Sequence, residues 1–178
     1  MEGMNDFDTT LRDGVPEDGA AIAAIYNHYV LGTSVSMEFD AVDAAAMAGR
    51  IAEVRAAGLP WLVLLQRERM LGYAYASRWR ARPGYRHAVE TSVYLAPDEH
   101  GRGHGARLVR ALLGRLDAGI HTVIGGIALP NPASVALHER LGFRQVACFT
   151  EVGRKFGQWV DVGYWQLTRT PQAPEARG

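Results

Sequence analysis

The sequence predicts an α/β (α+β) domain in which helices flank a sheet, and three features predict it. Residues 88–113 begin as an alternating, β-branched stretch, break at Pro97, pass through Gly101-Arg102-Gly103-His104-Gly105 and resume at helical spacing. Two apolar runs, residues 61–66 and 71–77, flank the charged segment Arg67-Glu68-Arg69 and read as a hairpin. Along the chain the elements follow in the order βααβββαβαββ.

Thr10-Leu11-Arg12 is a short first strand. Pro16-Glu17-Asp18 opens a helix, since proline suits the first helical position and carboxylates suit its positive end. Ile22, Ile25, Tyr26 and Tyr29 form its apolar stripe, and Gly32 ends it. A connector, residues 33–38, leads to an alanine-rich helix over residues 41–57, with Met47, Ile51 and Val54 facing inward and Gly58 and Pro60 stopping it. After the hairpin, Val89, Thr91, Val93 and Leu95 alternate with Glu90, Ser92 and Tyr94 in a strand. Leu108, Val109, Leu112 and Leu113 then mark a helix. Residues 122–128 are an apolar strand. Pro130-Asn131-Pro132 opens a helix that runs through Leu141 and closes at Gly142. Residues 143–151 and 160–168 read as final strands, the latter partly exposed. Residues 9–170 form a single domain, with flexible termini at 1–8 and 171–178 and Met4 as an alternative start.

At 178 residues and 48% apolar, one domain can bury roughly 70% of the surface its unfolded chain exposes. A formal net charge of zero, without runs of like charge, leaves no electrostatic footprint for nucleic acid or a membrane surface. One cysteine, Cys148, excludes an internal disulfide framework and fits a reducing compartment. No apolar run approaches the roughly 20 residues of a membrane span, and the N-terminus is acidic rather than signal-like. The expectation is a cytoplasmic protein with no metal, no nucleic-acid partner and no membrane partner.

A strand that feeds a helix through glycines presents backbone N–H groups that lack intrahelical partners, where the helix dipole favours negative charge. Such a turn suits a phosphate or pyrophosphate. No Lys-Ser or Lys-Thr follows the glycines, so this is no Walker loop. A dinucleotide fingerprint fits poorly, because the glycines alternate and the stretch lies mid-chain. A glycine-rich turn without any ligand stays open on the loop alone.

His100-Gly101-Arg102-Gly103-His104-Gly105 resembles the pyrophosphate loop of the GNAT superfamily of N-acetyltransferases, Gln/Arg-x-x-Gly-x-Gly/Ala, with His100 departing at the first position. The element order also resembles that fold, a mixed, mostly antiparallel twisted sheet flanked by helices. Five segments resemble one branch, the phosphinothricin and methionine sulfoximine acetyltransferases: Ile25-Tyr26-Asn27-His28-Tyr29; residues 84–90; Ser92-Val93-Tyr94-Leu95; residues 131–134 with 138–143; and residues 157–167. Met37 departs, since the connector of relatives commonly carries Phe there.

The resemblance implies acetyl-CoA as cosubstrate, held by Val93, Tyr94, Leu95, His100, Gly101, Arg102, Gly103, His104, Gly105, Ala106, Asn131 and Ser134. It implies Glu90 as general base and His138 as a second catalytic group, in a place where the superfamily commonly has Tyr. It implies an N–H of Tyr94 or Leu95, at a bulge, as donor to the acetyl oxygen. Met37, Arg80, Tyr85, Arg86 and Trp159 would line the acceptor pocket for a small amino acid, and the branch forms homodimers.

The residues carry their own logic. An α-amine is largely protonated near neutrality, with a pKa of about 8, so its acetylation needs a base within reach. Glu90 can be that base, or a strand carboxylate facing solvent or Arg86. Asn131, Ser134 and His138 share one helix face at i, i+3, i+7, where His138 can handle protons or simply pack, and Asn131 can be a cap. Arginine forks bind carboxylates and tetrahedral oxyanions, so Arg78, Arg80, Arg82 and Arg86, with Trp79 and Tyr85, suit an anionic amino acid; a solvated basic loop is the alternative. Lys155, Trp159 and Asp161 fit the same pocket or a subunit interface, and Trp159 and Trp165 also fit strand packing. Three functions follow: an amino-acid N-acetyltransferase that uses Glu90 in direct attack, an acetyltransferase for another amine or a protein N-terminus, and a non-catalytic CoA-binding module.

Overall fold

A computed structural model describes residues 9–169; the expected flexible segments 1–8 and 171–178 lie outside them. Seven strands form one sheet in the order β1-β2-β3-β4-β5-β7-β6. They are β1 (Thr9–Asp13), β2 (Trp61–Gln66), β3 (Arg69–Arg78), β4 (Ala88–Leu95), β5 (Thr122–Leu129), β6 (Arg144–Lys155) and β7 (Gln158–Thr168). All neighbours are antiparallel except β4 and β5, which run parallel. The helices are α1 (Gly19–Gly32), α2 (Ala44–Ala56), α3 (His104–Arg115) and α4 (Pro132–Arg140). Among the described residues no helix is long and apolar enough to cross a membrane.

Along β2 and β3 both faces of the sheet are covered. On one, Ile22, Tyr26, Tyr29 and Val30 of α1 and Met47 and Ile51 of α2 pack on Trp61, Val63 and Tyr73. On the other, Leu108 and Leu112 of α3 meet Leu62, Leu64, Leu71 and Ala74, with Val93 and Leu95 beside them. Burial on both sides explains why β2 reads as an unbroken apolar run rather than an alternation. Leu108 and Leu112 have no exposed surface, and each such burial is worth about 1.5–3 kcal/mol.

Several boundaries differ from expectation for local reasons. Pro16–Asp18 is a separate 3-10 turn, and α1 starts only at Gly19, where a Cβ would stand 2.6 Å from the Ala44 carbonyl oxygen of α2. Helix α2 begins at Ala44 rather than residue 41, because the Asp43 carboxylate caps it by accepting from Ala46 N–H at 2.7 Å. Strand β3 begins at Arg69, so the hairpin turn is Arg67-Glu68. Strand β6 continues to Lys155 through two register irregularities, at Gln145/Ala147 and Phe149/Gly153, where Thr150, Glu151 and Gly153 suggest a stop.

Candidate functional site

The site begins where β4 and β5 part. Strand β4 pairs with β3 along its whole length, from Val89 opposite Arg78 to Leu95 opposite Gly72. It pairs with β5 only at Ala88, Glu90 and the residue between them. Beyond Glu90, β5 continues beside β7 alone, so a wedge opens between two parallel strands. The Ala96 N–H donates to the Leu71 carbonyl and the Trp79 N–H to the Ala88 carbonyl, which fixes the ladder's parity. Antiparallel alternation then turns the N–H and C=O groups of Val93 and Leu95 away from β3 and into the wedge. Of the two expected acetyl-oxygen donors, Leu95 has this orientation, while the Tyr94 N–H belongs to the β3 ladder. The expected bulge in β4 is absent, as its register with β3 is unbroken.

At the wide end of the wedge lies the glycine-rich turn. Pro97–Glu99 form a 3-10 turn, and Gly101 and Gly103 adopt φ of 75° and 84°, a region that side chains avoid. Among the described residues, a Cβ on either glycine would meet nothing within 4 Å and no side chain caps the N-terminus of α3. This open cradle of backbone N–H groups at a helix start fits a diphosphate. Gly105 has a different reason to be glycine: it is buried, and a Cβ there would lie 3.3 Å from Leu137 of α4.

Within the loop Glu99 and His104 turn inward, while Asp98, His100 and Arg102 are exposed. Glu99 is 2% exposed; its Oε1 accepts from Arg69 at 2.9 Å, and its Oε2 faces His104 Nε2 at 3.3 Å and Arg102 Nε at 3.7 Å. Arg69 also pairs with Asp98. His100 turns its ring to Tyr29 of α1, Nε2 to hydroxyl 2.9 Å, and the same hydroxyl donates to the Leu95 carbonyl at 2.5 Å.

Strand β5 separates the two expected catalytic groups. A Cβ on Gly126 would stand 2.9 Å from Glu90 Oε1, and a Cβ on its neighbour Gly125 would stand 2.6 Å from His138 Nε2. Successive strand residues point to opposite faces, so Glu90 and His138 approach β5 from opposite sides. Burial pushes the Glu90 carboxyl above its ordinary pKa, with the Arg80 charge partly offsetting it. His138 is buried, edge-on to Phe143 at 5.1 Å, and its Nδ1 donates to the Ser134 carbonyl at 2.8 Å. In the neutral ring Nε2 therefore carries the lone pair. Burial lowers the pKa of His138, and the Ser134 carbonyl opposes that shift. Asn131 caps α4, its Oδ1 accepting from Ser134 N–H at 3.1 Å.

The acceptor side is assembled from distant elements. Arg80 stacks over Trp79 at 4.6 Å, and Trp79 meets Tyr164 edge-on at 5.6 Å, beside Gly126 and Glu90. Tyr85 (48% exposed) and Arg86 lie on an exposed loop, and no ion pair or hydrogen bond joins either side chain to Glu90 among the described residues. Trp159 is 60% exposed and stacked under Arg154, five residues along β7 from Tyr164, so within this chain it lies apart from Glu90. Met37 packs against Gly153 of β6, where a Cβ would be 2.9 Å from its sulfur.

Two further groups fix the connector between α1 and α2. Glu38 carries no periodic signal in the sequence. Lys155, expected at the acceptor pocket or a subunit interface, is instead enclosed against the end of α1 and the connector. Glu38 accepts from Tyr26 at 2.8 Å and from both arms of Arg50 at 2.7 and 3.0 Å. The Arg50 hydrogen bonds hold its carboxyl below the ordinary range. Lys155, 2% exposed, donates to the Val30 carbonyl at 2.7 Å and the Ser36 carbonyl at 2.5 Å, and burial lowers its pKa.

This geometry has counterparts. The chain matches the acetyltransferase (GNAT) domain over residues 11–163. It is 42% identical over 162 residues to the L-amino acid N-acyltransferase MnaT of Escherichia coli, covering 89% of this chain and 92% of that one. It is 37% identical over 164 residues to an L-methionine sulfoximine/L-methionine sulfone acetyltransferase of Pseudomonas paraeruginosa, covering 91% of this chain and 95% of that one. A phosphinothricin acetyltransferase of Sinorhizobium meliloti, solved in complex with acetyl-CoA, superposes with a TM-score of 0.86 at 35% identity, covering 94% of this chain and 95% of that one. With its wedge between β4 and β5 and its glycine cradle at the start of α3, the chain belongs to the GNAT family of acetyltransferases.

Proposed function

We propose that this protein transfers the acetyl group of acetyl-CoA to the α-amine of a small amino acid analogue of the phosphinothricin or methionine sulfoximine kind. The observation that carries the reading is Glu90: a half-buried carboxylate with a raised pKa, at the last paired position before the wedge opens and within the field of Arg80. The relatives support the substrate class.

Acetyl-CoA would supply an activated thioester; Gly101, Gly103 and the first turn of α3 would hold its diphosphate, and Val93 and Leu95 would line its path. Glu90 takes the proton of the acceptor amine, directly or through a water, and its raised pKa brings it closer to that amine. The Leu95 N–H, turned into the wedge, would donate to the acetyl oxygen. His138 stands across β5 with a lone pair at Nε2, so in its resting state it accepts rather than donates. Arg80 draws the acceptor's anionic group, with Tyr85 and Arg86 closing from the exposed loop. A second copy of the chain covers the exposed apolar residues Phe149, Val152, Phe156 and Trp159 of the β6–β7 hairpin, which brings Trp159 into the reading as an interface residue. The free, exposed Cys148 suits the reducing cytoplasm.

The test is CoA release with methionine sulfoximine, phosphinothricin, methionine, spermidine and an N-terminal peptide. Methionine sulfoximine and phosphinothricin should lead and spermidine trail, because arginines repel a polycation. A lead for spermidine or the peptide overturns the acceptor class. In the same assay the rising limb of kcat/KM should sit above the ordinary carboxylate range, as expected of a base that burial has raised.

A further inference from the structure

The Tyr29 hydroxyl stands between two loop ends. It is 2.5 Å from the Leu95 carbonyl oxygen, which can only accept, so its single proton is committed there. His100 Nε2 lies 2.9 Å from the same phenol oxygen and must therefore be the donor, which fixes the neutral ring as the Nε2–H tautomer. The first side chain of the glycine-rich loop is thus spoken for by α1. Tyr29 is itself buried, with its ring 5.3 Å from that of Tyr94.

Leu95 ends β4, and His100 begins the cradle. In a strand the N–H and C=O of one residue point to the same side, so a tether on the Leu95 carbonyl also sets the direction of its N–H. We propose that Tyr29 and His100 are a positioning pair, which fixes from one point on α1 both the Leu95 peptide at the acetyl group and the entrance of the diphosphate cradle. Neither side chain need touch the reacting atoms; Tyr29 acts through Leu95, and His100 through Tyr29. The proposal rests on the reading of Leu95 as the acetyl-oxygen donor.

Tyr29→Phe keeps the ring and removes the tether. It should lower kcat by about 10- to 100-fold, the scale of a donor displaced by a fraction of an ångström to one ångström. His100→Ala should weaken turnover, and His100→Gln, which retains an N–H donor, should recover most of that loss. The Tyr29→Phe/His100→Ala double variant should be no worse than Tyr29→Phe alone, since both act through one hydroxyl. A purely packing role would give independent losses and no rescue by glutamine. Wild-type kcat in Tyr29→Phe, or losses that multiply, overturn the pair. A readout independent of turnover, and of whether Tyr29→Phe folds, is the ¹⁵N spectrum of the wild-type imidazoles: His100 should be the Nε2–H tautomer, and the Nδ1–H form overturns the proposal. If the wild-type protein shows no acetyl-CoA turnover while His100 is Nε2–H, the functional reading fails and the hydrogen-bond geometry stands.

Discussion

The two ends of the wedge are built by different means. The cofactor end is backbone: two glycines at positive φ, an uncapped helix start and the inward-turned edge of β4, all within residues 93–105. The acceptor end is side chains: Glu90 from β4, Arg80 and Trp79 from the loop after β3, Tyr164 from β7, and a connector pinned by Lys155 from β6. A backbone site depends on where the chain can bend, whereas a side-chain site depends on what meets across the fold. The first should fail by losing affinity and the second by losing rate or acceptor preference.

The sharpest break is at Glu90. Glu90→Gln should cost roughly 10²–10⁴-fold in kcat near neutral pH and leave the acetyl-CoA KM close to wild type. The loss should shrink as pH rises toward the amine's own pKa, and a pH–rate series checks this. Next comes Arg80→Ala. If its guanidinium grips an anionic acceptor group, a charge-assisted hydrogen bond worth about 1.5–3 kcal/mol is lost, or roughly 10- to 100-fold in acceptor kcat/KM. The cofactor parameters should hardly move. At the opposite end, Gly103→Val forces a branched residue into positive φ and places its side chain in the open cradle. It should raise the acetyl-CoA KM by about 10-fold, from a backbone cost of about 1–2 kcal/mol, and spare kcat. Gly105→Val is the contrast, since it meets Leu137 and should lower Tm first.

The smallest effect concerns the connector. Glu38 is held below its ordinary pKa, so the folded state binds its proton less readily than the unfolded one. The resulting stability is present above the ordinary carboxylate range and is lost as pH falls through the lowered value. Both partners are about 40% exposed, with side-chain exposures of 42% for Arg50 and 39% for Glu38, so solvent limits the pair to no more than about 1 kcal/mol. Glu38→Gln should flatten the acid limb of a Tm–pH curve slightly.

The same contrast explains what was legible in the sequence. Glycine placement and a change of period expose a strand–turn–helix directly, so β4, the cradle and α3 could be read with little error. Glu90 could be named only through the resemblance, since the residues alone left it equally a strand carboxylate facing solvent or Arg86. The wedge could not be read, because it depends on where β5 stops pairing, a matter of register between strands rather than of either strand's composition. Tyr29 looked like one more apolar-stripe residue, since nothing local marks its partners 66 and 71 positions away. Tyr85, Arg86 and Trp159 were legible as residue types suited to an acceptor, but their places on exposed segments follow from loop geometry that composition does not encode. Strand β6 was underestimated for a related reason, as its irregularities allow turn-like residues inside a continuing ladder.

Lys155 has a consequence for chemical labelling. It is the sole lysine of the 178-residue chain; every other side chain counted as Lys or Arg is arginine. Its amine, with a lowered pKa, would be a competent nucleophile toward thioesters if it were accessible, yet it is enclosed and tied to two carbonyls. The folded protein therefore offers acetyl-CoA no surface lysine to modify, which spares it from acylating its own lysine side chain. Amine-selective reagents become a gauge of opening: the peptide that contains Lys155 should stay unlabelled in the native protein and gain label only as the β6–β7 hairpin lifts from α1.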